Sequence, residues 1–403
     1  MQMQPKQFVQ ETPDLCRMTL VLPLEGAGPE AEDAALNAGV DAALRWLREK
    51  KQLAVLDEPA AEVVSADGES LTVEFTVPLL PRDAVLDDCT GLRPELRPAP
   101  VPQRVVEGRL EMLRLSHYTL RDWDGPAERN DVVFFDYAVP GTAQRGESFQ
   151  MTIGGPEPCP GLGAALCGKR AGERFACPLP GGTVCCGILR RVCRKEYPVL
   201  DDAFARRIGG GASLAELRQH LEEQLVGQER QKARAAALEE VIGQAAARLR
   251  APDISEELAA LYLARLTGRM KERLFPEKGA FEKYLAAQGL TPQQFEAKNR
   301  AAVCSHLRKR MALLLLAEQQ GLTPTEEDRR ACERRLAQEN SIAEAEVRSR
   351  CPVSVLGLEA RIQAAQRWLG RESTRKGYED RELGPLETTA RALFAFCGTL
   401  WYT

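Results

Sequence analysis

The stretch from Asn130 to Gly209 limits the possible folds more than any other part of this chain. It opens on Val132-Val133-Phe134-Phe135-Asp136-Tyr137, a run of β-branched and aromatic residues that reads as a strand. A Gly/Pro-punctuated block follows, Ile153-Gly-Gly-Pro-Glu-Pro-Cys-Pro-Gly-Leu162. The stretch closes at Tyr197-Pro-Val-Leu-Asp-Asp-Ala-Phe-Ala-Arg-Arg-Ile-Gly209, after which the pattern is helical almost to the end. A small β module is thus inserted in a chain whose mass is helical. At 403 residues and 44% hydrophobic content the chain can bury several cores, so an α+β multidomain fold is expected.

Charge and hydropathy narrow the function. A net charge of -4 gives no general attraction to nucleic acid or to an anionic membrane surface. No apolar run approaches the ~20 residues needed to cross a bilayer, and Met311-Ala-Leu-Leu-Leu-Leu-Ala317 reads as a buried helix stripe. The first residues lack a secretory signal, so a soluble cytoplasmic protein is expected. Six of the 12 cysteines fall between Cys159 and Cys193, without a Cys-x-x-Cys and without a nearby histidine. That pattern argues against structural zinc. Cysteine filling small buried positions is one reading. Redox sensing or metal capture by the vicinal pair Cys185-Cys186 is the other.

The first hundred residues read as a small α+β unit. Arg17 to Leu22 is a strand, Pro29 to Lys51 a helix, and Glu62 to Val77 a hairpin turning at Asp67-Gly68. Prolines at 81, 94, 98, 100 and 102 make residues 81–102 an extended linker, followed by a short helix over 103–117. Beyond Pro198, Ser213-Leu-Ala-Glu216 is a capping box, and a helix opens near Ser255. Another helix precedes Gly289. Thr291-Pro-Gln-Gln294 and Thr323-Pro-Thr-Glu326 each place proline at the first helical position. The helix between them, 292–320, is expected to be the longest, and a last one covers 353–369. Sparse apolar stripes on charged helices suggest long arms or an open cradle, with an ordinary solvated bundle as the alternative. The apolar run Ala392 to Tyr402 in the tail has no assigned role.

Gly163-Ala-Ala-Leu-Cys-Gly168-Lys169 has the spacing of a phosphate-binding loop, but Arg170 stands where magnesium binding needs a hydroxyl, so no nucleotide site and no cofactor are expected. His117, His220 and His306 lie far apart, and no nucleophile–base pair can be read.

Asn130 to Tyr137, Ile153-Gly-Gly, Cys159-Pro-Gly-Leu162, Leu166 to Glu173 and Tyr197 to Gly209 together resemble the trigger factor family, as does Leu71 to Val77 followed by Leu86-Asp-Asp-Cys-Thr-Gly-Leu92. The resemblance runs over about residues 8–370. It implies a small α+β N-terminal domain (1–100), a linker helix (101–127) and a shortened FKBP-like β domain (128–196). An extended all-helical C-terminal domain with arms forming a cradle (197–370) and a tail (371–403) complete it. It also implies an ATP-independent chaperone whose partners are unfolded or nascent polypeptides. The family's Gly-Phe-Arg-x-Gly-Lys loop does not occur, so ribosome docking by that loop is not expected.

Carried over residue by residue, the proline pocket would comprise Asp136, Tyr137, Phe149, Cys159, Leu162 and Cys185. Cys159 and Leu162 stand where the family has an isoleucine and an aromatic, and a phenylalanine would be expected around Cys185. The segment 178–184 is too short for the family's flap. Fewer aromatics mean less surface to grip a prolyl ring, so weak or absent isomerase activity is expected. An active peptidyl-prolyl isomerase, or an assembly or export factor for one client, are the rival readings.

Overall fold

The computed structural model describes residues 4–374, except 27, 95–98, 141–144, 159–160, 180–182 and 341 and the side chains of 339, 340, 349 and 374. The chain divides into two compact units, Met1–Ala99 with Arg230–Thr403, and Pro100–Glu229. It is a mixed helix and sheet, multidomain architecture.

In the first unit β1 (Gln7–Thr12) and β2 (Leu15–Pro23) are an antiparallel pair. Helix α1 (Pro29–Trp46) starts with proline at N1 and with Glu30 and Glu32 in its first turn, charges that suit a helix N-terminus. It continues as a π-helical turn, Leu47–Lys51, ended by Gln52 in the left-handed region at φ 54°. Then come β3 (Ala54–Val55), β4 (Ala60–Ala66), β5 (Ser70–Leu80) and β6 (Val85–Leu86). The sheet order is β1-β2-β5-β3, with β4 also on β5. Alternation along β2 and β5 sends Met18, Leu20, Leu22, Val73, Phe75 and Val77 into one core. Gly39 lets α1 lie close to that face: a Cβ there would fall 2.6 Å from Leu22. The expected hairpin forms, and Asp67 accepts from the Ser70 amide at 2.7 Å while Gly68 takes φ 86°.

The second unit begins with α2 (Gln103–Ser116) and β7 (Thr119–Asp122). Strands β8 (Val132–Ala138) and β9 (Arg145–Thr152), the short helix α3 (Leu162–Leu166), β10 (Arg174–Pro178) and β11 (Val184–Glu196) follow. The antiparallel sheet is ordered β10-β11-β8-β9, with β7 also on β11. Next, α4 (Asp202–Arg207) is capped by Asp201, which accepts from the Phe204 amide at 2.8 Å. Phe204 and Ala205 then pack with Val106 and Leu110 of α2 in a core separate from that of the sheet. Helix α5 (Leu214–Ala247) crosses the division between the units at Glu229/Arg230. Ser213 accepts from the Glu216 amide at 3.2 Å as its sequence suggests, but the Glu216 carboxylate reaches back to the amide of Ala212 at 2.7 Å.

The remainder of the first unit is β12 (Leu249–Arg250), α6 (Glu256–Leu274), α7 (Ala280–Ala287), α8 (Pro292–Gln319), α9 (Glu326–Asn340), α10 (Glu344–Arg350) and α11 (Val353–Thr374). Ser255 caps α6, and Thr291 and Gln294 form a full capping box on α8. Three expectations need correction. Residues 81–92 are not a linker: β6 pairs with β12, and Leu86, Cys89 and Leu92 are buried in the helical core. Proline keeps such a segment extended but does not keep it out of a core. The longest helix among the described residues is α5, with 34 residues against 28 for α8. Helix α9 begins two residues after Pro324, because Thr325 and Asp328 exchange hydrogen bonds at 2.7 and 3.3 Å as its cap.

Candidate functional site

Strand alternation puts Val133, Phe135 and Tyr137 of β8 on one face, over the second unit's sheet core. Phe135 is 1% exposed and lies edge-to-face with Phe175 of β10, ring centroids 5.5 Å apart. Above this floor, Tyr137 meets Phe149 of β9 edge-to-face at 5.8 Å, and Phe149 keeps 37% of its surface. Tyr137 stands between glycines on both neighbouring strands, Gly146 on β9 and Gly187 on β11. A Cβ at Gly146 would lie 2.5 Å from the Tyr137 ring, and one at Gly187 would overlap the Asp136 carbonyl oxygen and the Phe175 ring. Gly187 is therefore required by close approach to backbone, whereas Gly146 leaves room for the Tyr137 ring.

Asp136 alternates to the other face. Its carboxylate accepts from the Ser148 amide at 2.8 Å and from Arg190 Nε at 2.6 Å, and these two, in that order, hold its carboxyl below the usual carboxylate range. Ser148 can turn its amide inward because it sits in a β-bulge at φ 54°.

Of the six residues expected to form a proline pocket, Tyr137 and Phe149 adjoin each other, and Leu162 and Cys185 lie beneath them in the buried core at 1% and 3% exposure. Asp136 stands apart from them, bound to Arg190. Cys159 lies outside the described residues. Cys185 faces Cys177 across β10 and β11, and burial pushes its thiol pKa up. Its vicinal neighbour Cys186 is exposed on the opposite face of the strand, so the two thiols do not converge on one ligand. Phe135 and Phe175 were absent from the expected set, although the i, i+2 spacing of Phe135 and Tyr137 already places those two on one face. What the cluster offers is a small accessible aromatic surface over a buried floor, suited to holding an apolar ring.

A second aromatic group stands at the α6–α7–α8 corner. Phe275 lies 5.0 Å from Tyr284 and 5.6 Å from Phe281, which meets Phe295 edge-to-face at 5.5 Å. Phe281 is buried, Phe275 and Tyr284 are half-buried, and the adjoining Leu274 is 52% exposed. Among the described residues no cluster of three or more metal-ligating side chains occurs, and no helix is long and apolar enough to cross a membrane.

The architecture so far defines a class: a multidomain α+β protein with a partly exposed aromatic cluster in each of its two units. Residues 213–351 match the family model of the bacterial trigger factor C-terminus. The trigger factor of Thermobifida fusca is 30% identical over 301 residues, 69% of this chain and 63% of its own length. That of Acidothermus cellulolyticus is 31% identical over 206 residues, 48% of this chain and 46% of its own, and that of Moorella thermoacetica 25% identical over 301 residues, 69% and 66%. A solved trigger factor chaperone aligns over 91% of this chain and 99% of its own at 15% identity and a TM-score of 0.46. The chain spans less than two thirds of the length of these three curated relatives. Together the family model and the relatives support membership of the trigger factor family.

Proposed function

We propose that this protein is an ATP-independent chaperone that binds unfolded or nascent polypeptides in the cytoplasm through weak apolar contacts. The observation that carries this reading is the half-buried aromatic corner of Phe275 and Tyr284 beside exposed Leu274, within the stretch that matches the trigger factor C-terminus. Accessible apolar side chains of this kind suit many short contacts with unfolded chains. Co-purification from cells tests the partner class: a broad set of unfolded or newly made chains is expected. One dominant partner would instead favour a dedicated assembly or export factor. The same material tests ribosome association, which the missing Gly-Phe-Arg-x-Gly-Lys loop makes unexpected by the family's usual route.

The Tyr137–Phe149 pair favours a second reading, a prolyl isomerase. Rotation about a prolyl bond meets a barrier of about 18–20 kcal/mol, which a dry aromatic cleft lowers by disfavouring the planar, charge-separated amide. Here Leu162 and Cys185 are buried, and Asp136 is bound to Arg190. We expect isomerisation of a proline tetrapeptide to be slow or at the buffer rate. A fast reaction abolished by Tyr137→Ala would establish the enzyme.

A further inference from the structure

Two hydrophobic clusters of the first unit meet at a cleft of about 690 Å³, framed by the end of α1, the start of α11 and the facing parts of α8 and α9. That volume lies within the range of small-molecule sites, roughly 300–1,000 Å³. Leu44 and Leu53 come from one cluster and Leu80, Leu314 and Leu358 from the other, while Val55 packs against both. The five leucines are buried and form an aliphatic floor. Among the described residues no aromatic side chain lines it. Asp41 of α1 accepts from the Ser354 amide at 2.8 Å and from the Ser354 hydroxyl, which ties the first turn of α11 to α1 and sets that side of the cleft.

The rim is cationic. Arg48, Arg329 and Arg361 line it against a single carboxylate, Glu318, among the described residues. Arg329 has an exposed partner, Glu326, at 3.7 Å. Arg48 and Arg361 make no ion pair or side-chain hydrogen bond among the described residues. Arg361 is also half-buried, so a charge brought to it is screened less than at the open surface.

This combination selects one chemistry. A floor of branched aliphatic side chains, with no ring to stack on, suits a flexible alkyl chain better than a planar ring. Guanidinium groups above it call for an anionic head, and a carboxylate matches their planar fork. We propose that the cleft binds a single-chain aliphatic carboxylate, a fatty acid of medium length, with its alkyl chain on the leucine floor and its carboxylate on the arginine rim. The site shares no residue with either aromatic cluster, and it does not depend on the chaperone reading.

The experiment is equilibrium dialysis of the full chain against radiolabelled octanoate, decanoate and dodecanoate, each below its micelle concentration. One saturable site is expected, with affinity rising about four-fold for each added methylene that is buried. Decyltrimethylammonium has the same chain with the opposite charge, and should compete about ten-fold or more less well than unlabelled decanoate. Arg48→Glu with Arg361→Glu should weaken decanoate about ten-fold or more. Arg48 is exposed, so Arg48→Glu alone is a variant whose fold is not at risk, with an expected loss of about two-fold. Gly357 lines the cleft, and a Cβ there meets nothing within 4 Å. Gly357→Trp should therefore block the site without lowering the thermal midpoint. An acidic, leucine-rich peptide is dialysed alongside. If it is held and decanoate is not, the cleft takes polypeptide and the proposal fails. Failure to retain any of the three carboxylates, equal competition by the two head charges, or decanoate binding unchanged in Gly357→Trp would each overturn it as well.

Discussion

Glu359 of α11 is 6% exposed and accepts hydrogen bonds from Arg310 of α8 and Arg335 of α9. Arg310 also reaches Asp57 at 2.8 Å and donates to the Leu56 carbonyl at 2.7 Å, and Tyr262 of α6 donates to Asp57. Two carboxylates and two guanidiniums thus join the loop after β3 to α8, α9 and α11, and the Tyr262 phenol adds α6. Burial alone would raise the Glu359 pKa, but Arg310 and Arg335 outweigh it and hold the carboxyl well below its ordinary range. Glu359→Gln keeps the shape and removes the one negative charge that both guanidiniums share. Breaking a buried pair from one side costs about 3–5 kcal/mol. With a urea dependence of about 3 kcal/mol per molar, the midpoint should fall by roughly 1–1.7 M. The assay is equilibrium urea unfolding followed by helicity. Glu359→Met combined with Arg335→Met removes one charge of each sign and should cost less than the single change. A single-variant shift below about 0.3 M, or a paired variant no better than the single one, would refute the reasoning.

Acid should weaken the first unit in two stages. Burial, and then Arg310, push the His306 pKa down to about 4 from an ordinary 6.5. Between those values the unfolded chain takes a proton that the folded one refuses, so stability is full above pH 6.5 and falls toward pH 4 by at most about 3 kcal/mol. His306→Gln should flatten that slope, as read from urea midpoints against pH. Glu359, with its depressed pKa, adds a second loss at lower pH, as its carboxylate is finally protonated. In the second unit, Gly187→Ala should cost about 1–3 kcal/mol or more, because its Cβ meets backbone as well as the Phe175 ring. Protease cleavage within residues 119–196 should accelerate, and an unchanged rate would contradict the tight packing. Asp41→Ala should remove about 1–2 kcal/mol by uncapping α11, measured as a lower thermal midpoint.

What was legible in the sequence is what local chemistry decides. Ser255, the Thr291/Gln294 box and the Asp67-Gly68 turn satisfy backbone groups within a few residues of themselves, so their spacing reveals them. The start of α9 shows how close such competitions run: Thr323 and Thr325 both precede carboxylates or amides, and the Thr325–Asp328 exchange won. What stayed hidden depends on distant partners. The pairing of β6 with β12 joins residues more than a hundred positions apart, and only that contact makes residues 81–92 part of a core. The same holds at the aromatic site. Tyr137 and Phe149 could be named from the resemblance, but the binding of Asp136 to Arg190 depends on bulges in β9 and β11, and Phe175 on the pairing of β10 with β11.

Light scattering of a chemically denatured client diluted into buffer with the full chain, and without nucleotide, tests the central claim most directly. Aggregation is expected to be suppressed as the chain approaches a few-fold molar excess. Tyr137→Ala should leave that suppression intact, and charged replacements of Leu274 and Phe275 should weaken it. Aggregation at the rate of buffer alone, at any excess of the chain, would contradict it.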